Sequence, residues 1–189
     1  MKKLKFTDLL ITIMVGVVFG ILMKFWDDLY TVVKPMIPVA RQLLYGMWFM
    51  NGVFAALLIR KPGAALIASI AGAGLSAFIG HGLEVLIYGF AQGLAAELLF
   101  AAFRYRKFSI PVAGLAGIAS CAASFGLDMF YGYAELEPWA LFVKYGLRVV
   151  SAFIFTGVFA VLIIRALEAT GVTHSIRPVS QDEYSLLDR

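Results

Sequence analysis

Residues 6–23 read FTDLLITIMVGVVFGILM, with Asp8 as the one ionisable side chain among them. A helix of roughly 20 apolar residues, rising 1.5 Å per residue, crosses the roughly 30 Å hydrocarbon core of a bilayer. The preceding Met1-Lys2-Lys3-Leu4-Lys5 resembles the basic start of a signal peptide. No small-residue cleavage site follows before Lys24 and Trp26, however, and more apolar windows come after. The stretch therefore reads as a retained first membrane helix.

Five further windows of the same kind follow: Val39–Ile59, Gly63–Ile79, Leu83–Phe103, Ile110–Tyr131 and Trp139–Ile164. Pro38, Pro62, Pro111 and Pro138 fall at their starts, where a first helical turn accepts a residue without an N–H. The expected fold class is all-α, a polytopic membrane protein with six transmembrane helices. Residues 1–168 form the transmembrane domain in this reading. Residues 169–189, which carry His174 and Pro178 and lack apolar periodicity, form a flexible cytoplasmic tail.

Composition agrees. Of 189 residues 61% are hydrophobic and 15% charged, against about 25% charged in an average soluble domain, and the mean hydropathy is +0.87. The net charge of +4 does not mark a nucleic-acid binder, because the basic residues sit in short clusters between apolar windows. They report orientation instead. With an inner N-terminus, 11 of the 16 Lys and Arg lie inside: Lys2, Lys3, Lys5, Arg60, Lys61, Arg104, Arg106, Lys107, Arg165, Arg177 and Arg189. Lys24, Lys34, Arg41, Lys144 and Arg148 remain outside. Both termini are therefore expected in the cytoplasm, while the longer connections Lys24–Pro38 and Gly132–Pro138 form lid-like loops on the outer face.

Ionisable and polar groups inside membrane segments are costly, so each is a functional candidate. Glu84, Tyr88 and Gln92 recur every four residues on the fourth helix, with His81 just ahead, and share one face. A polar seam gluing helices together is the competing reading. Arg41, Tyr45, Trp48 and Asn51 make a similar face on the second helix. Asp128, Tyr131 and Tyr133 end the fifth, and Trp139, Lys144, Tyr145 and Arg148 begin the sixth. Asp128 with Arg148 or Lys144 reads equally as a stabilising pair or as ligand contacts. Glu97 lies lower, near Arg104, and reads equally as a partner of Arg104 or of a neighbouring helix or as a solute contact.

Carboxylates, an amide and aromatic faces converging at the outer half suit a small aromatic or cationic solute. No HExxH, GxSxG or P-loop occurs, and two histidines with the single Cys121 make no metal site or disulfide framework. Neither an enzyme nor a cofactor is expected. Gly16 and Gly20 on the first helix form a small-xxx-small face that permits close approach of another helix.

The strings Phe25-Trp26-Asp27-Asp28-Leu29-Tyr30, Tyr45-Gly46-Met47-Trp48-Phe49-Met50-Asn51-Gly52 and Gly80-His81-Gly82-Leu83-Glu84 carry a resemblance that covers nearly the whole chain. It resembles the substrate-binding S components of energy-coupling factor (ECF) importers, specifically the YkoE type associated with thiamine and its hydroxymethylpyrimidine precursor. The resemblance implies a bacterial plasma-membrane subunit that captures a vitamin from outside. It also implies a transmembrane coupling subunit and two cytoplasmic ATPases as partners, with Gly16 and Gly20 replacing the usual Ala-x-x-x-Ala contact face. On that footing Glu84 and Asn51 are expected to hold the aminopyrimidine, Trp48, Tyr88 and Trp26 to stack on rings, and Asp128 to compensate the thiazolium charge. His81, Tyr131, Tyr145 and Arg148 complete the candidate set. Replacing Glu84 by alanine should then weaken thiamine binding at least tenfold, roughly 1.4 kcal/mol. A stand-alone carrier using Glu84 and His81, or a structural assembly protein, are the alternatives.

Overall fold

The computed structural model describes residues 4–36 and 40–176. Lys2, Lys3, Pro38, Val39 and the tail from Arg177 to Arg189 lie outside the described residues, and with them part of the orientation and tail readings. Among the described residues, six helices are long and apolar enough to cross a membrane.

Helix α1 runs Phe6–Met36, well beyond the Met23 expected from hydropathy. The extension has local causes. Lys24 pairs with Asp28 one turn on at 2.8 Å, and the helix ends one residue after Pro35, whose ring cannot continue the ladder. Most of the segment expected as a lid loop is therefore helix. A 3₁₀ turn, Ala40–Leu44, leads into α2, Gly46–Ile59. Helix α3 spans Ala64–His81, its last five residues wound as a wider π turn in which Gly80 takes φ +111°. Then come α4, Glu84–Ala102, and α5, Ile110–Phe130. Helix α6, Pro138–Ala169, contains a π-helical stretch at Phe153–Phe159.

Helix α2 is the axis of the bundle. It touches all five other helices, and every residue from Phe49 to Ile59 is buried. Such a helix is apolar all round because it has no solvent or lipid face. The main core joins Val53, Phe54, Leu57 and Leu58 of α2 to Phe19, Ala65, Phe100, Ala113, Val161 and Ile164 from the surrounding helices. The outer ring turns its other side chains to the hydrocarbon, as with Leu10, Met14, Val18 and Leu22 on α1.

Helices α1 and α3 approach closely through glycine. A Cβ on Gly16 would lie 2.6 Å from the Ala68 carbonyl oxygen, and one on Gly20 would lie 2.9 Å from that of Gly72. Both glycines are buried. Within the chain, the face expected to meet a partner subunit packs on α3.

At the end of the bundle holding Arg60–Gly63 and Phe103–Ser109, carboxylates fasten the turns. Asp8 accepts from the Lys5 backbone N–H at 2.7 Å and from the Lys61 ammonium at 2.5 Å. Glu97 accepts from the N–H groups of Gly63, Ala65 and Leu66, which begin α3, and from the Tyr105 hydroxyl. Arg104 is not its partner. The sequence expected a tail from residue 169, but Val172–Ser175 form a short 3₁₀ helix, with Thr173 buried and Ile176 against the core.

Candidate functional site

Polar and aromatic side chains gather at the opposite end, beside the connections around 40–45, 81–84 and 131–137. Arg148 of α6 is fully buried at its centre. Its Nη1 donates to Asp128 Oδ2 at 2.5 Å, its Nε to Gln42 Oε1 at 3.0 Å and its Nη2 to the Tyr133 hydroxyl at 3.3 Å. The guanidinium carbon lies 3.6 Å from the centroid of the Tyr45 ring, and Phe125 and Tyr133 stand at 5.3 and 5.7 Å. A cation removed from water is thus compensated by one carboxylate, two neutral acceptors and three ring faces. Asp128, on the last full turn of α5, also accepts from the Tyr88 hydroxyl at 2.8 Å, which ties α4 to the same centre.

An aromatic wall continues outward. Tyr30 of α1 meets Trp48 edge-on at 5.2 Å, and Trp48 lies 5.0 Å from Tyr45. Tyr131, half-exposed, stands 5.9 Å from Tyr88. Arg41 lies over Tyr30 and Lys144 over Tyr133, at 5.5 and 4.6 Å. Tyr145 packs inward on Phe125 at 5.0 Å, beside a small cluster of Phe49, Cys121 and Ala152.

The 3₁₀ turn at Ala40–Leu44 is anchored at three consecutive residues. Gln42 receives Arg148, the Leu43 carbonyl accepts from Ser151 at 2.6 Å, and the Leu44 carbonyl accepts from the Trp26 indole at 2.8 Å. This segment is a fixed rim.

Of the candidates read from sequence, Asp128, Arg148, Tyr88, Tyr131, Trp48 and Tyr145 come together through direct contacts or shared ring neighbours. The stabilising-pair alternative for Asp128 and Arg148 is the arrangement found. Asp128 accepts from both Arg148 and Tyr88, one on each carboxylate oxygen. Asn51 is buried between α2 and α3, where its amide donates to the Ala68 carbonyl at 2.9 Å, and it makes no hydrogen bond with the cluster. Glu84 is exposed in the first turn of α4 with its carboxylate folded over Gly82. His81 spans from the Ser76 carbonyl, 3.2 Å away, to Asp27 at 3.3 Å. Trp26 packs against Phe155 at 5.6 Å and holds the rim from behind.

Gln42 is the residue that sequence reading passed over. It is fully buried and holds the central arginine. The signal was available, since a glutamine in an apolar window invites the same question as a buried charge.

Known proteins resemble the chain over most of its length. The family of permease components of ABC-type cobalt transport systems matches residues 7–123. A protein of Bacillus subtilis (strain 168), YkoE, described as an HMP/thiamine permease, is 35% identical over 180 residues, covering 93% of this chain and 90% of its own. A crystal structure of an S component of an ECF transporter superposes with a TM-score of 0.88 at 34% identity, covering 93% of this chain and 91% of that one.

Proposed function

Since the chain belongs to the permease-component family that those comparisons define and is an ECF S component in fold, we propose that it captures thiamine or its hydroxymethylpyrimidine precursor at the end bearing Arg148. That end faces the outside of the bacterial plasma membrane, and both termini lie in the cytoplasm. A transmembrane coupling subunit and two cytoplasmic ATPases supply the energy, so the chain itself binds and does not catalyse.

One observation carries the reading: Arg148, Asp128, Tyr88, Tyr45 and Trp48 from four helices are gathered at a single end of a membrane bundle. Aromatic faces can hold a heterocycle by stacking, and the tyrosine hydroxyls and buried ion pair supply direction. The YkoE name supports the vitamin class. The cobalt in the family description is not carried over, because among the described residues no three His, Cys, Asp or Glu side chains come together as a metal site. Glu84 remains a proposed outer contact, one turn from Tyr88, and Asn51 a proposed structural amide.

Mass spectrometry of small molecules that co-purify with the chain tests this directly. The expected result is thiamine or hydroxymethylpyrimidine in about equimolar amount; riboflavin or an unrelated lipid would remove the assignment. Reconstitution of the chain alone in liposomes should give binding without uptake. Uptake without partners would make it a carrier.

A further inference from the structure

The connection from α3 to α4 has little apolar hold on the bundle. Its backbone leaves helical angles at Ile79 and Gly80, and Phe78 and Leu83 point away from the core with most of their surface exposed. From Phe78 to Glu84, His81 is the only residue that is not exposed. What fastens this segment is therefore polar.

The imidazole of His81 stands between two acceptors. Nδ1 lies 3.2 Å from the Ser76 carbonyl oxygen, and Nε2 lies 3.3 Å from Asp27 Oδ2 on the extended part of α1. Neither oxygen can donate. A neutral imidazole carries one N–H, so it serves one of the two and turns a lone pair on the other, whereas the imidazolium donates to both. The other charged groups on these elements do not replace it: Lys24 is paired with Asp28, and Glu84 is exposed with its carboxylate over Gly82. Histidine changes charge between about pH 5 and pH 8. The segment it holds leads into the first turn of α4, and one turn further Tyr88 bonds Asp128.

We propose that His81 is a positioning residue, which as an imidazolium clasps the α3–α4 connection to Asp27 and so makes retention of the cargo depend on pH. The clasped arrangement binds the proton, so it is complete in acid and is lost as pH rises. This rests on the proposed vitamin-binding function and adds a control to it.

The test is the rate at which bound radiolabelled thiamine or hydroxymethylpyrimidine leaves the detergent-purified chain under an excess of unlabelled compound. In wild type, release should be about fivefold faster near pH 8 than near pH 6, the order expected for a partly exposed ion pair. Asp27→Asn offers an N–H in place of one carboxylate oxygen, so a neutral imidazole with its proton on Nδ1 satisfies both sides. That variant should release slowly at both pH values, and His81→Gln should release at one rate throughout. Titration of the ligand itself is common to all three proteins and cancels. Equal rates at the two pH values in wild type overturn the proposal while leaving the vitamin-binding function intact. A pH dependence that survives in Asp27→Asn also overturns it, because another group then titrates. Should His81→Gln fail to fold, Asp27→Asn, at a half-buried position, decides alone. Wild type that binds neither compound removes both the function and the control.

Discussion

Asp128 and Arg148 illustrate how much a single buried pair can hold. The guanidinium has no exposed surface, and its neighbours come from α2 with its leading 3₁₀ turn, from α5 and from the loop after α5. Removing one charge leaves the other uncompensated, which costs about 3–5 kcal/mol. Asp128→Asn or Arg148→Gln should therefore lower stability by that order in detergent. Replacing both by apolar residues should cost less than the sum, as a double-mutant cycle followed by chemical unfolding would reveal. A single-variant loss below about 1 kcal/mol would mean that the charges are compensated elsewhere. Glu84 is the contrasting residue. Its spacing to Tyr88 made it the favoured ligand contact, yet it is exposed and turned over Gly82. Glu84→Ala is expected to weaken vitamin binding less than Asp128→Asn does; a tenfold loss in titration would restore it to the centre of the site.

Among the elements, α3 shows how a helix start is fixed by a distant side chain. Its first N–H groups have no intrahelical acceptors, and Glu97 of α4 supplies them. Tyr105, in the turn beyond α4, donates its hydroxyl to the same carboxylate. Burial first, and then that hydrogen bond, push the Tyr105 phenol well above its ordinary value of 10.0. A group whose folded pKa is raised contributes stability that is complete below the unfolded value and is lost as pH climbs through the folded one. Wild type should thus lose thermal stability above pH 10 more steeply than Tyr105→Phe, and equal slopes in the two would exclude the contact as the cause. The α1–α3 pairing has the opposite character, resting on absent side chains. Gly16, Gly20 and Gly72 allow backbone to meet backbone, which uses the small-residue face inside the chain.

For the molecule as a whole, the two ends differ in kind. One carries the basic turns Arg60–Lys61 and Arg104–Lys107; the other carries the Arg148 cluster and its rim. The proposed orientation puts the cluster outside, and cysteine labelling checks it, because native Cys121 is fully buried and contributes little background. Glu137→Cys should react with a membrane-impermeant thiol reagent on intact cells, and Lys107→Cys only after permeabilisation; both positions are exposed. The reverse pattern would invert the topology. The number of helices, their approximate windows and the segregation of basic residues were legible from sequence, because hydropathy and charge act locally along the chain. The length of α1 was not, since an i,i+4 ion pair and packing of Trp26 on Phe155 carry the helix past its apolar stretch.

The sequence by itself determined that this is a six-helix membrane protein with polar and aromatic residues at one end, since a bilayer leaves the backbone few ways to satisfy its hydrogen bonds. It also named Asp128, Arg148, Tyr88 and Trp48. Only the tertiary structure decided which polar groups are already spent and which are spare. Asn51 closes an interface, Asp128 neutralises Arg148, and Gln42 is left holding a free donor. Helical periodicity gives the face a residue occupies, but its partner depends on which helices pack together, and that choice belongs to the whole bundle.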